Sequence, residues 1–74
     1  MNAAIAEAIR QRLPDAEVEV EVDGNRALIT VISRSFDGLS RVKRQQAVYA
    51  AVGPFISDGT LHAVSIRALT PEEA

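Results

Sequence analysis

Residues 17–32 read E-V-E-V-E-V-D-G-N-R-A-L-I-T-V-I, and this stretch decides the fold. Val18, Val20 and Val22 alternate strictly with Glu17, Glu19, Glu21 and Asp23. Successive side chains of a strand point to opposite faces, so period two with one row of carboxylates predicts a half-buried strand near 17–23 with a solvated side. Asp23-Gly24-Asn25 is turn chemistry, because glycine and asparagine both tolerate positive φ. Beyond it Ala27 to Ile32 is apolar on both faces, as in a central strand. A second strand near 27–33 therefore closes a hairpin with the first.

Upstream, Ile5, Ile9 and Leu13 recur every four residues among alanines, with Glu7, Arg10 and Gln11 elsewhere on the wheel. This is an amphipathic helix, and Pro14 stops it, since the residue before a proline disfavours helical backbone. Downstream, Ser33 to Leu39 is a loop with Asp37-Gly38 at its turn. Ser40 is an N-cap, and Val42, Val48, Tyr49, Val52, Phe55 and Ile56 then recur at spacings of three and four. Gly53-Pro54 is expected to break or kink this long helix, with Pro54 opening a further short turn. After the turn at Asp58-Gly59, a third strand is expected near 60–68, with His62, Val64 and Ile66 on one side of it. Thr70-Pro71-Glu72-Glu73 has the form of a helix start, though only a stub of chain follows.

The predicted order is α-β-β-α-(α)-β. A helical connection that returns to the sheet lays its strand parallel to one already present. The expected fold class is α/β in the α+β sense, a mixed three-stranded sheet with helices on one face and the carboxylates of the first strand on the other. At 74 residues one domain over residues 1–74 is expected, with a core near the lower limit for unaided folding.

Composition excludes several function classes. With 47% hydrophobic and 24% charged residues, disorder is not expected. No run approaches the roughly 20 apolar residues that span a bilayer, and Met1 to Arg10 lacks the layout of a signal peptide, so a cytoplasmic protein without a membrane partner is expected. There is no cysteine, hence no disulfide, no thiolate nucleophile and no cysteine-built metal site. No phosphate-binding glycine loop and no nucleophile elbow are present, and an enzyme is not expected. Glu17, Glu19 and Glu21 share a strand face at spacings of about 7 Å, too open to close around one ion.

The net charge of −2 hides an asymmetry. Five of the ten acidic residues lie in 15–23, whereas Arg34, Arg41, Lys43 and Arg44 supply half of the eight cations. Arg41, Lys43 and Arg44 fall where the helix dipole disfavours cations. They have two readings, an anion-attracting corner or a solvated helix end. With one tyrosine and two phenylalanines, a base-stacking surface is poorly supplied. His62 also has two readings, a strand-end histidine bonded to backbone or an imidazole available to a metal. A protein-only metal site normally takes three or four ligands, so His62 ligates usefully only with help from a partner.

The run S-R-S-F-D-G-L-S-R-V-K-R-Q-Q-A-V-Y at residues 33–49 resembles the F-x-G-x-S segment of BolA proteins with the basic stretch and V-Y pair that follow it. Its wording is most similar to the IbaG-type branch, because BolA proper has an R-H pair where this chain has Arg44-Gln45. Farther on, D-G-T-L-H-A-V-S-I at 58–66 and T-P-E-E at 70–73 match the family's histidine strand and the residues after it. The resemblance covers about residues 4 to 73, although other members continue after T-P-E-E.

The resemblance implies a KH-like fold of the second type, without the G-x-x-G loop that grips nucleic acid. It implies partnership with a monothiol glutaredoxin, and a role in iron–sulfur cluster assembly, trafficking or iron sensing. In such complexes a 2Fe–2S cluster is shared with glutaredoxin cysteine and glutathione, and the isolated protein carries none. The ligand carried over is His62. A second family ligand, histidine or cysteine, sits between the first two strands; that place is Arg26 here, which cannot ligate iron. The competing implication is a DNA-binding regulator using Arg41, Lys43 and Arg44. A third is an adaptor that contacts glutaredoxin without metal.

Overall fold

A computed structural model describes residues 2–74. The chain runs α1 (Asn2–Arg12), β1 (Glu17–Asp23), β2 (Arg26–Ile32), a short 3-10 turn (Arg34–Phe36), α2 (Arg41–Ser57) and β3 (Ala63–Leu69). The sheet order is β1-β2-β3, with β2 antiparallel to β1 and parallel to β3. The expected mixed three-stranded sheet is therefore present.

The hairpin closes with Asp23 opposite Arg26. Of its two turn residues only Gly24 takes positive φ, at 62°, as the first central residue of a tight hairpin turn does. Register then follows from the valine–glutamate alternation, because a one-residue slip would turn every valine to water. Ala27, Ile29 and Val31 of β2 are buried, and they pack with Ile5 and Ile9 of α1 and Val48, Ala51 and Val52 of α2. Val18, Val20 and Val22 of β1 and Val64 and Ile66 of β3 pack against the same cluster. The opposite face carries Glu17, Glu19, Glu21, Asp23, Arg26 and Leu28, all exposed. The apolar second face of β2 is thus not covered, and Leu28 remains 47% accessible.

Two further expectations are corrected. Helix α2 does not break at Gly53-Pro54 but runs on to Ser57 with Pro54 inside it. Proline removes the N–H that would bond the carbonyl four residues back. Here that carbonyl belongs to Ala50, and Ala50 and Pro54 are both exposed, so the missing bond lies on the solvent side of the helix, where it costs least. Thr70-Pro71-Glu72-Glu73 forms a turn rather than a helix stub. The glutamate half of the capping box is still made, with the Thr70 N–H donating to Glu73 Oε1 at 2.9 Å. The apolar positions of α2 also divide: Val48 and Val52 enter the core, whereas Val42, Tyr49 and Ile56, seven residues apart, lie on an exposed stripe.

One polar knot ties the ends of the sheet together. The Ser33 hydroxyl, on a residue only 1% accessible, donates to Asp15 Oδ1 at 2.8 Å, and the Arg34 N–H donates to Asp15 Oδ2 at 3.0 Å. Ser33 Oγ in turn accepts from the Ser35 N–H, and the Ser33 N–H donates to the Leu69 carbonyl. Asp15 thereby joins the α1–β1 turn to the exit of β2. The Ser33 hydroxyl, followed by the Arg34 amide, holds its carboxyl below the ordinary carboxylate range.

Two outcomes follow for stability. Ile29→Ala should cost about 2–5 kcal/mol in urea unfolding, whereas Leu28→Ala, on the open face of the same strand, should change stability by about 0.5 kcal/mol or less. The Asp15 carboxyl titrates lower in the folded chain than in the unfolded one. Its contribution is thus complete above about pH 5 and is lost as pH falls through the depressed folded value. Asp15→Asn should lower stability at neutral pH and flatten the acid side of the stability–pH curve. A mutant curve parallel to that of the parent down to about pH 3 would show that Asp15 does not contribute.

Candidate functional site

The position of His62 is built by the end of α2. The Asp58 side chain accepts from the Thr60 N–H at 2.9 Å; the Thr60 hydroxyl first, and then this amide, hold its carboxyl below the ordinary range, and Gly59 takes φ +82° to reverse the chain. The Gly59 N–H returns to the Ile56 carbonyl and the Leu61 N–H to the Phe55 carbonyl. Leu61 is driven into the core at 1% accessibility, which leaves the next residue, His62, exposed just before β3 begins. Its backbone N–H donates to the Asn25 carbonyl at 2.8 Å, and the Ala63 N–H shares that acceptor at 3.3 Å. The ring's Nε2 faces Gly59, where an added Cβ would stand 3.9 Å away.

The β1–β2 turn and His62 therefore occupy the same end of the sheet, stitched through Asn25. Arg26 pairs with Ala63 in the parallel register and lies on the open face. Asp23, its antiparallel partner, is exposed on that face too. Iron–sulfur clusters are held by thiolate or imidazole. This chain has no cysteine and one histidine, and no group of three His, Cys, Asp or Glu able to hold a metal occurs among the described residues. Its residues fit a shared cluster as a donor of one outward-facing imidazole, and do not fit a cluster held by this chain alone.

The basic start of α2 is divided by the structure. Ser40 caps it, accepting from the Lys43 N–H at 3.2 Å. Arg41 and Lys43 are exposed, but Arg44 is not a free cation. Its Nε donates to the Leu39 carbonyl at 3.0 Å and its Nη1 to Glu73 Oε1 at 2.6 Å, with a longer bond to the Ala68 carbonyl. Arg44 thus anchors the C-terminal turn to the helix and, as the larger influence, holds the Glu73 carboxyl below its usual range. The sequence placed these three cations together; the structure leaves two of them free.

No helix of the described residues is long and apolar enough to cross a membrane. Residues 24–73 match the family described as BolA-like protein. Over 72 residues the chain is 42% identical to the acid stress protein IbaG of Escherichia coli, covering 97% of this chain and 86% of that protein. Its fold superposes on BolA1 from Arabidopsis thaliana with a TM-score of 0.88 at 28% identity, over 99% of this chain and 94% of that one. The BolA domain of SufE1 from the same plant gives a TM-score of 0.85 at 30% identity, with the same coverages. The matched span holds the hairpin turn, the capped basic helix and the histidine ahead of β3, and the backbone follows that of solved BolA domains from end to end: this chain belongs to the BolA family.

Proposed function

We propose that this chain is a non-enzymatic partner of a monothiol glutaredoxin, and that it donates His62 to a 2Fe–2S cluster held jointly with a glutaredoxin cysteine and glutathione. The observation that carries the reading is the exposure of the one histidine, at a sheet end fixed by backbone hydrogen bonds to the neighbouring hairpin. A ligand that must meet metal held by another molecule has to be outward-facing and rigidly placed. His62 has both properties, and family membership supports the reading of a partner protein. The existence of a BolA domain within SufE1 fits a module that works joined to other proteins.

The chemistry is that of an adaptor. The cluster is cargo, and the imidazole completes the coordination of one iron. The Asn25 carbonyl, by accepting from the His62 and Ala63 amides, holds the backbone of the ligand in place before the partner arrives. Arg26 supplies a fixed positive charge at the adjoining hairpin and no lone pair for iron. With Arg44 committed to Glu73 and the Leu39 carbonyl, no observation favours DNA binding as a second reading.

Two measurements test this reading. When the protein is mixed with cluster-loaded glutaredoxin and glutathione, His62→Ala should change the visible absorption and circular dichroism of the complex. Affinity should fall at least the roughly tenfold that losing even a hydrogen-bond partner of a metal ligand produces. An unchanged spectrum and affinity would remove His62 from the cluster. Arg26→His should lengthen cluster lifetime and shift the spectrum; if neither moves, the hairpin is not beside the iron.

A further inference from the structure

Helix α2 carries an apolar stripe that nothing in the chain covers. Val42, Tyr49 and Ile56, at 64%, 41% and 38% accessibility, are three of the four exposed large hydrophobic side chains among the described residues. They stand seven residues apart, and seven residues fall about 20° short of two helical turns, so the stripe drifts slowly around the helix. A shallow depression between its first two members is lined by Arg41, Val42, Gln45, Gln46 and Tyr49. Val42, Gln45, Gln46 and Tyr49 stand at i, i+3, i+4 and i+7, the four-residue hole that accepts a side chain from a second helix. The next such set is Tyr49, Val52, Gly53 and Ile56. There the space above Gly53 is open, since an added Cβ would meet nothing within 4 Å.

The ends of α2 are charged against its dipole. The first turn has cations and no acidic residue, the last turn has no basic residue, and the C-cap is the exposed Asp58. Arg41 and Lys43 are exposed, and the only ion pair among the described residues is that of Arg44 with Glu73. A neighbouring helix running in the same direction would bring like ends together. An antiparallel one sets the cations against carbonyl ends and a carboxylate. One register of an antiparallel pair satisfies both the stripe and the charges. When Ile56 of one copy enters the depression between Gln45 and Gln46 of the other, Tyr49 falls into the hole beside Gly53, and Lys43 comes opposite Asp58.

We propose that α2 pairs antiparallel with α2 of a second copy of this chain, with Ile56 and Tyr49 of each copy seated in these two holes of the other. Tyr49 is ordered in advance, because its hydroxyl donates to the Val64 carbonyl at 3.1 Å and fixes the ring at the helix surface. One helix stripe buries less than the roughly 800 Å² per partner of a stable interface. The pair is therefore a transient dimer, with a Kd on the order of 100 μM. It does not rest on the cluster-sharing reading.

The test is sedimentation equilibrium of the full chain up to about 1 mM, well above the expected Kd, with isotope-filtered NOE spectra of mixed labelled and unlabelled chains. A monomer–dimer equilibrium is expected. Ile56 methyl groups should show contacts to Val42 of the other copy, a residue about 21 Å away along their own helix. Ile56→Lys should weaken association by about tenfold or more, because it places a cation in an apolar hole. A cation in the last turn suits the helix dipole, so circular dichroism and thermal stability should be kept. Lys43→Glu should weaken the dimer about fivefold at low salt, and adding Asp58→Lys should restore it, as two exposed ion pairs are lost and remade. Leu28→Ala, on the open sheet face, should leave association unchanged. Four results would each overturn the proposal: a chain monomeric throughout this range, Ile56–Ile56 contacts in place of Ile56–Val42, association lost in Leu28→Ala but kept in Ile56→Lys, or stripe amides that shift only when a glutaredoxin is added.

Discussion

Everything in this molecule hangs on the single covered face of β2. A three-stranded sheet has one central strand, and Ala27, Ile29 and Val31 present its only continuous buried strip. Both helices must find that strip, because at this length there is no second layer in which to bury Ile5, Ile9, Val48 and Val52. The antiparallel and parallel neighbours are fixed by the same demand. Val18, Val20 and Val22 from one side and Val64 and Ile66 from the other extend the strip, and any slip in register would withdraw them.

A sheet covered on one face leaves edges and ends to be managed. On β3 the work is done by α2, whose Arg44, Gln45 and Tyr49 side chains bond the outward carbonyls. On β1 the Asn2 side chain donates to the Val20 carbonyl. Unpaired edges template aggregation, and small domains blunt them in this manner. The same helix positions explain why Tyr49 lies outside the core although it falls in an apolar repeat: its hydroxyl has a backbone partner, which a buried leucine could not offer.

Rigid strands and capped helix ends then carry the residues available to other molecules. His62 follows a left-handed glycine and precedes the first paired residue of β3, so its backbone is held on both sides while its ring is outside. The α2 start presents Arg41 and Lys43 and keeps Arg44 for the architecture. Neighbouring cations in one helical turn thus have different work, decided by which of them points at the C-terminal turn.

The hairpin, the helix cap at Ser40, the turn glycines and the parallel return of β3 were legible from local pattern. Each depends on sterics and hydrogen bonding within a few residues, or on a periodicity that only one face can satisfy. His62 was singled out by motif, and Arg41, Lys43 and Arg44 by clustering at a helix start; which of them are exposed was decided by the tertiary structure. The continuation of α2 through Pro54 was not legible, because it depends on whether the Ala50 carbonyl faces water, a matter of how the helix is rotated against the sheet. Nor were the pairing of Arg44 with Glu73 or the knot of Asp15 with Ser33. These partners lie 18 or more residues apart, and side chains so distant meet only when packing of the core has set the register of the strands and the rotation of the helices. Local sequence determined which elements form and which of their faces is apolar; tertiary structure alone decided which polar groups those elements bring within reach of one another.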